Sequence, residues 1–364
     1  MSPEPTSPAS DIVPSATRAA GATLVIGPSW IGDAVMAQCL LAALARQGHT
    51  AIDVVAPDSV RPLLARMPEV RDALAAPFGH GDLMLHRRFA LGASLRGRYA
   101  QAYVLPGSWK AAVVPWAARI PYRCGYLREW RWGLLNDIRD MPADRKRITA
   151  VTYQALADPD VMREPGRLLR PHLSVDLPIR DALLGRWGLA AGGFAVLAPG
   201  AEFGEAKRWP ERHWVRLGPL LRARGLRPVL LGAAGDRPVT ERIAAQIAAE
   251  AAAGGARDGP AAVDLAGRLR IDEAADLMSA ACVAVSNDSG LMHVAAAVRC
   301  PVVAIYGSTS PRHTPPLAER ARLVSLDLAC SPCFARRCPL GHRDCLEKLA
   351  PDLVLDHIVQ LTAD

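Results

Sequence analysis

One pattern constrains this chain more than any other: a short apolar strand, a glycine-bearing loop, a helix and a second strand, appearing once in each half. In the first half Thr23–Ile26 reads as a buried strand and Gly27-Pro-Ser-Trp-Ile-Gly-Asp33 as its loop. Residues 34–46 are rich in strong helix formers and stop before Gly48, and residues 51–55 form the next strand. That is a βαβ unit, which commits its strands to a parallel sheet. Residues 103–105 read as a further strand ending at Pro106-Gly107. The second half begins the pattern again with Phe194–Ala198, a long loop over 199–208, a helix over 211–224 and a strand over 227–231. Residues 282–286 and 302–306 add two more apolar strands, and 352–362 reads as an amphipathic helix. The expected fold is α/β, with two Rossmann-like domains whose parallel sheets face a central cleft and bind ligands at the strands' carboxyl ends.

The 364 residues suit two domains of ordinary size. Residues 160–181 hold Pro165, Pro171 and Pro178 with little periodicity, so the crossover is expected there. The expected division is a Pro/Ser/Ala tail at 1–20, a first domain at 21–170, a linker at 171–185, a second domain at 186–350 and a terminal helix at 351–364. Residues 249–259, a run of Ala and Gly, read as a surface loop or helix end. No uncharged apolar run reaches eighteen residues, and the first residues lack the basic end and apolar stretch of a secretory signal. The expected location is the cytoplasm.

Charge is unevenly spread. The chain carries a formal +7, yet residues 61–131 alone hold twelve basic residues against Glu69, Asp72, Asp82 and Glu129. Such a concentration fits an anionic partner (a phosphorylated substrate, an anionic membrane surface or nucleic acid), or simply a solvated face.

The loops carry the chemistry. Neither half has Gly-x-Gly-x-x-Gly after its first strand, which argues against a dinucleotide-dependent oxidoreductase. Asp33 closes the first loop at the mouth of a helix, where it is either a reactive carboxylate or an N-cap. In the second half, Asn287-Asp-Ser-Gly-Leu-Met-His293 follows a strand. Asp288 or Ser289 can cap the following helix, Gly290 lets a ligand approach its first N–H groups, and His293 lies one turn on from Ser289. This describes a phosphate site or an ordinary capped helix. Pro199-Gly-Ala-Glu-Phe-Gly-Glu-Ala-Lys-Arg-Trp-Pro210 places Lys207 and Arg208 after a strand end, and Gly232-Ala-Ala-Gly-Asp236 adds an acid suited to ribose hydroxyls. Together these loops outline a nucleotide-diphosphate pocket.

These three loops, with Arg61-Pro-Leu-Leu-Ala-Arg-Met-Pro-Glu-Val70 and Leu134-Leu-Asn-Asp137, closely resemble in order the lipopolysaccharide heptosyltransferases, from about residue 23 to 316. The resemblance implies a GT-B, inverting glycosyltransferase that uses ADP-heptose. The branch resembled adds heptose to the first heptose of the lipopolysaccharide inner core; the branch that adds the first heptose, or another GT-B transferase, is the alternative. By motif position Asp33 would be the general base, Lys207 a donor-phosphate ligand, and Asp288, Ser289, Gly290 and His293 the pyrophosphate-binding helix start. Asp236 matches a ribose contact less closely. No cofactor is implied for catalysis, and no Asp-x-Asp metal motif is present. Arg87, Arg88, Arg123 and Arg128 are expected to bind the acceptor, a phosphorylated glycolipid, with the enzyme peripheral to the cytoplasmic leaflet of the inner membrane. The rival from another class is a basic nucleic-acid-binding module, for which Tyr99, Trp109, Trp116 and Trp130 would supply stacking rings. It leaves the phosphate loops unexplained, so no nucleic acid is expected as partner.

Eight cysteines are too few and too scattered for a secreted disulfide scaffold. Four of them, Cys330, Cys333, Cys338 and Cys345, fall within sixteen residues, the first two in Cys-x-x-Cys spacing. They could close a structural tetrahedral zinc site, or stand as reduced thiols in a loop.

Overall fold

A computed structural model describes residues 21–79, 81–141, 148–253 and 261–363. The expected tail at 1–20 lies outside these residues, as does the end of the Ala/Gly run at 254–259. The chain forms two six-stranded sheets, all parallel. The first contains β1 (Thr23–Ile26), β2 (Ile52–Ala56), β3 (Val70–Ala75), β4 (Gln101–Val104), β5 (Tyr122–Tyr126) and β6 (Asp137–Arg139), in the order β3-β2-β1-β4-β5-β6. The second contains β7 (Phe194–Ala198), β8 (Arg227–Leu230), β9 (Val263–Asp264), β10 (Val283–Asn287), β11 (Val302–Ile305) and β12 (Ala321–Val324), in the order β12-β11-β10-β7-β8-β9. The two orders are the same plan used twice. In each, the strand order reverses beside the first strand, between β1 and β4 and between β7 and β10, and an open parallel sheet binds ligands at that switch point.

The helices of the first half are α1 (Ile31–Arg46), α2 (Arg61–Leu64), α3 (Leu85–Ser94), α4 (Val113–Ala117) and α5 (Thr149–Gln154). Those of the second are α6 (Leu177–Trp187), α7 (Glu211–Arg222), α8 (Arg237–Ala253), α9 (Ile271–Met278), α10 (Gly290–Ala297), α11 (Asp344–Glu347) and α12 (Pro351–Thr362). Strands β1, β2, β4, β7, β10 and β11 are buried along their whole length, which is why most of their residues are apolar. Strand β4 starts two residues before the expected 103–105 because Gln101, though polar, is buried with its amide donating to Thr23 Oγ1 at 2.8 Å. Strand β3 was not expected. Its Val-Arg-Asp-Ala-Leu-Ala sequence is held at the sheet by Arg71, whose Nε and Nη2 bind the buried Asp53 carboxylate at 2.8 and 2.6 Å.

The halves are tied together along 173–176. Leu173 N–H donates to Ala297 O and Ser174 N–H to Arg66 O, at 3.0 and 2.8 Å. Asp176 caps α6 through Ile179 N–H, and its own N–H donates to Asp276 Oδ1 at 2.8 Å. Arg66 of the first half reaches Asp276 of α9 at 2.6 Å, with Asp272 and Asp176 at 3.8 and 3.9 Å. One guanidinium therefore faces three carboxylates across the junction.

Candidate active site

The loops after β1, β7 and β10 meet at the two switch points. Helix α1 begins at Ile31 with Trp30 in the N-cap position, so Asp33 is a first-turn helical residue and not the cap. Burial raises the Asp33 pKa above the ordinary carboxylate range, and the nearby Lys207 ammonium opposes that shift from the other half of the chain. A carboxylate held this way is a stronger base than a solvated one.

The second half presents its own helix start. Ser289 is the N-cap of α10 without a capping hydrogen bond from its side chain; its hydroxyl lies 3.2 Å from Ser286 Oγ. The first N–H groups of α10 therefore keep their donor capacity, with the helix dipole behind them. The two helix starts pack closely. A Cβ at Gly32 would lie 2.9 Å from the His293 ring, and one at Gly290 would lie 3.0 Å from Ile31 Cβ and 3.3 Å from Gly32 N. Glycine is required at both positions by proximity. His293 is buried, and burial first, with Lys207 adding to it and Asp288 opposing, pushes its pKa down to about 4. It is a neutral imidazole at ordinary pH.

Lys207 lies in a short turn over Glu205–Lys207 after β7, and its Nζ pairs with Asp288 Oδ2 at 2.6 Å. The same oxygen accepts from Thr309 Oγ1 at 2.6 Å, and Oδ1 accepts from Thr314 Oγ1 at 3.1 Å. Asp288 is thus a hub that fixes the lysine, and a carboxylate so occupied suits positioning better than contact with an anion. Neighbouring Asn287 locks the loop from below: its Oδ1 accepts from Trp209 N–H at 3.1 Å and its Nδ2 donates to Pro199 O at 2.7 Å. Asp236 is half-buried, accepting from Ala233 N–H at 3.0 Å, with its carboxyl group beside Gly200 and Gly232.

On the first half, a cavity of about 1100 Å³ opens beside Asp33. Its walls include Trp30, Lys110, Arg128, Tyr153 and, from the second half, His313. The four expected acceptor arginines are differently employed. Arg128 lines the cavity. Arg88 also borders it, but is buried and donates to Leu83 O and Asp82 O at 2.8 and 2.9 Å. Arg123 donates to Leu134 O and Ile120 O at 2.6 and 2.5 Å, away from the cavity wall, and Arg87 is exposed with one bond to Pro77 O at 3.1 Å. Lys110 was missed by sequence reasoning although it lies in the basic stretch. Thr309 and Thr314 were missed too; only their place after β11 pointed to them.

The cysteine cluster requires a correction. Among the described residues no three His, Cys, Asp or Glu side chains are grouped to hold a metal ion, so the zinc site expected at Cys330, Cys333, Cys338 and Cys345 is not formed. The four thiols are near one another, with Cys345 in electrostatic reach of Cys330, Cys333 and Cys338, and the backbone amides of Arg343, Leu340, Gly341 and His342 hold the Cys338 thiol below its ordinary range, but they do not come together as a ligand set. This segment braces the loops after β7 and β11. Ala206 N–H donates to Arg336 O at 3.2 Å, and Phe334 N–H to Ser308 O at 2.7 Å.

Two halves of one strand order, with a half-buried carboxylate in one near an uncapped helix start in the other, define a GT-B glycosyltransferase. Residues 88–343 match the profile of glycosyltransferase family 9 (heptosyltransferase), and the chain belongs to that family. It is 41% identical over 343 residues to lipopolysaccharide heptosyltransferase 2 of Escherichia coli, covering 92% of this chain and 97% of the relative. It is 42% identical over 318 residues to lipooligosaccharide heptosyltransferase 2 of Haemophilus influenzae, covering 83% and 88%. The solved E. coli ADP-heptose LPS heptosyltransferase II superposes with a TM-score of 0.81 at 39% identity, over 94% of this chain and 98% of that one. Similarity to lipopolysaccharide heptosyltransferase 1 of E. coli is 31% over only 143 residues, 39% of this chain. The protein is a heptosyltransferase of lipopolysaccharide core synthesis. No helix among the described residues is long and apolar enough to cross a membrane.

Proposed function

We propose that this enzyme takes heptose from ADP-L-glycero-D-manno-heptose and places it, with inversion, on the first heptose of the lipopolysaccharide inner core. The observation that carries the chemistry is the half-buried Asp33 lying within electrostatic reach of Lys207 across the cleft. A single displacement needs a base on the acceptor hydroxyl and positive charge on the departing diphosphate. Asp33 supplies the first. Lys207 and the start of α10 supply the second, with Asp288, Thr309 and Thr314 keeping the ammonium in place. Ser289 and Gly290 lie at the helix start that receives the pyrophosphate, and neutral His293 packs behind it. The greater extent of the match to heptosyltransferase 2 supports the choice of acceptor over that of heptosyltransferase 1.

On this reading residues 21–170 hold the acceptor and 186–350 the donor. Arg128 and Lys110, both on the cavity wall, are the cations assigned to acceptor phosphate or carboxylate. The enzyme works in the cytoplasm at the inner leaflet, where a glycolipid acceptor is displayed. Incubation with ADP-heptose and two truncated acceptors, one ending at Kdo and one at the first heptose, tests the assignment by product mass. Product on the heptose-bearing acceptor alone supports it, whereas product on the Kdo-ended acceptor alone moves the enzyme to the first transfer. Because leaving-group charge is met by Lys207 and a helix dipole, turnover is expected to persist in excess EDTA. Loss of turnover restored by a divalent ion would overturn that part.

A further inference from the structure

Helix α5 is short, yet it is fastened at both ends. Thr149 N–H donates to His313 O of the second half at 3.0 Å, and Tyr126 Oη donates to Thr152 O at 2.7 Å. Gln154 donates from Nε2 to Arg167 O at 2.9 Å and accepts from Leu169 N–H at 2.8 Å. Tyr153 takes no polar part in this fastening. Its ring packs on the cluster of Met36, Cys39 and Ala150, while its hydroxyl has no hydrogen-bond partner among the described residues. Met36 stands one turn along α1 from Asp33, so those two share a helix face. Tyr153 therefore lies against the helix that carries Asp33, and it forms part of the wall of the 1100 Å³ cavity.

A phenol without a protein partner on a cavity wall is a donor left for whatever fills that cavity. Asp33 and Arg128 line the same cavity, and each acts electrostatically on Tyr153. In the proposed reaction Asp33 takes the acceptor proton and Arg128 meets an anionic group of the acceptor, so a ligand engaging both has the phenol within reach. Burial, with the Asp33 charge adding and Arg128 opposing, holds the Tyr153 pKa well above its ordinary value. The phenol keeps its hydrogen and does not compete with Asp33 for the acceptor's proton. We propose that Tyr153 positions the acceptor sugar by donating its phenolic hydrogen to a hydroxyl oxygen next to the reacting one, which turns the reacting hydroxyl toward Asp33. The proposal rests on the reading of Asp33 as base and of this cavity as the acceptor site. The fastening of α5 suits the task, because a small misplacement of the attacking oxygen is costly in rate. Through His313 that helix is also joined to Thr314, which holds Asp288, the partner of Lys207.

The test is Tyr153→Phe in the full chain, which removes one oxygen and keeps the ring. With ADP-heptose saturating, kcat/KM for the heptose-bearing acceptor is expected to fall about tenfold. The melting temperature, the donor affinity by calorimetry and the acid limb of turnover should stay at parental values. Acceptors each lacking one non-reacting hydroxyl of the acceptor heptose supply the second arm. Parent enzyme should lose about tenfold on the acceptor that lacks the partner hydroxyl, and Tyr153→Phe should lose nothing further on it. A tyrosine of merely structural role gives losses that add on every acceptor. Additive losses throughout, unchanged acceptor kinetics in the variant, a matching fall in donor affinity or a displaced acid limb overturns the proposal. Should the variant not fold, the parent profile decides, and equal rates on all the deoxygenated acceptors overturn it. Asp33→Asn is assayed alongside. Near-parental turnover in that variant overturns the reading of the base, whereas an inactive Asp33→Asn beside an unaltered Tyr153→Phe overturns the role of Tyr153 alone.

Discussion

In the proposed mechanism Asp33 concentrates the chemistry into one oxygen pair, and its environment sets the sign of the pH response. Burial raises its pKa, so the carboxylate is protonated, and idle as a base, at pH values where a solvated aspartate is already ionised. Turnover should therefore climb with pH along an acid limb placed above the usual carboxylate range, as steady-state rates at saturating donor would reveal. Asp33→Asn should cut turnover by about 10² or more while leaving ADP-heptose affinity within about twofold by calorimetry. Near-parental turnover in the folded variant would remove Asp33 from the reaction. The threonines on Asp288 make a quieter contribution. Each hydrogen bond to a charged group is worth about 1.5–3 kcal/mol, so Thr309→Val is expected to weaken donor binding roughly tenfold by loosening the partner of Lys207. An unchanged donor affinity would mean that the lysine is placed without it.

Elements differ in how much of themselves they write into sequence. Strands β1, β7, β10 and β11 were legible because burial on both faces demands uninterrupted apolar residues. Strand β3 was not, because its stability comes from Arg71 crossing to Asp53, a partner eighteen residues away that no local pattern discloses. The site follows the same rule. Asp33, Lys207 and the α10 start stand out in sequence because loops at strand ends advertise themselves. Lys110 was hidden among other cations, and Arg88 and Arg123 were over-read, since sequence cannot tell a cation facing a ligand from one saturated by carbonyls. Where α1 and α10 abut, the geometry makes a sharp forecast. Gly290→Ala puts a methyl group 3.0 Å from Ile31 Cβ, and overpacking of this kind costs about 1–3 kcal/mol. A melting temperature lowered by several degrees, with donor affinity reduced as well, is the expected result; an unaffected protein would mean that the junction yields freely.

For the molecule as a whole, the junction at Arg66 matters most. Asp276 is wholly buried, and its carboxylate depends on that single guanidinium for a counter-charge. Arg66→Met should destabilise the protein by ~3 kcal/mol, the usual consequence of orphaning a buried charge, and denaturant unfolding would measure it. A smaller loss would mean that solvent reaches the carboxylate once the arginine is gone.

The repeated strand order has a consequence for fidelity. Asp33 follows the first strand of one sheet and Lys207 the first strand of the other, so the proposed proton acceptor and the charge proposed to ease ADP away are carried on separate halves. Were the halves to part, Lys207 would stay with the donor on the second half while Asp33 left with the first, and a water molecule entering the gap would find an activated sugar with nothing to deprotonate the attacker. Division of the machinery between two similar frames would thus act as a safety catch: the donor is fully armed only where both frames stand together.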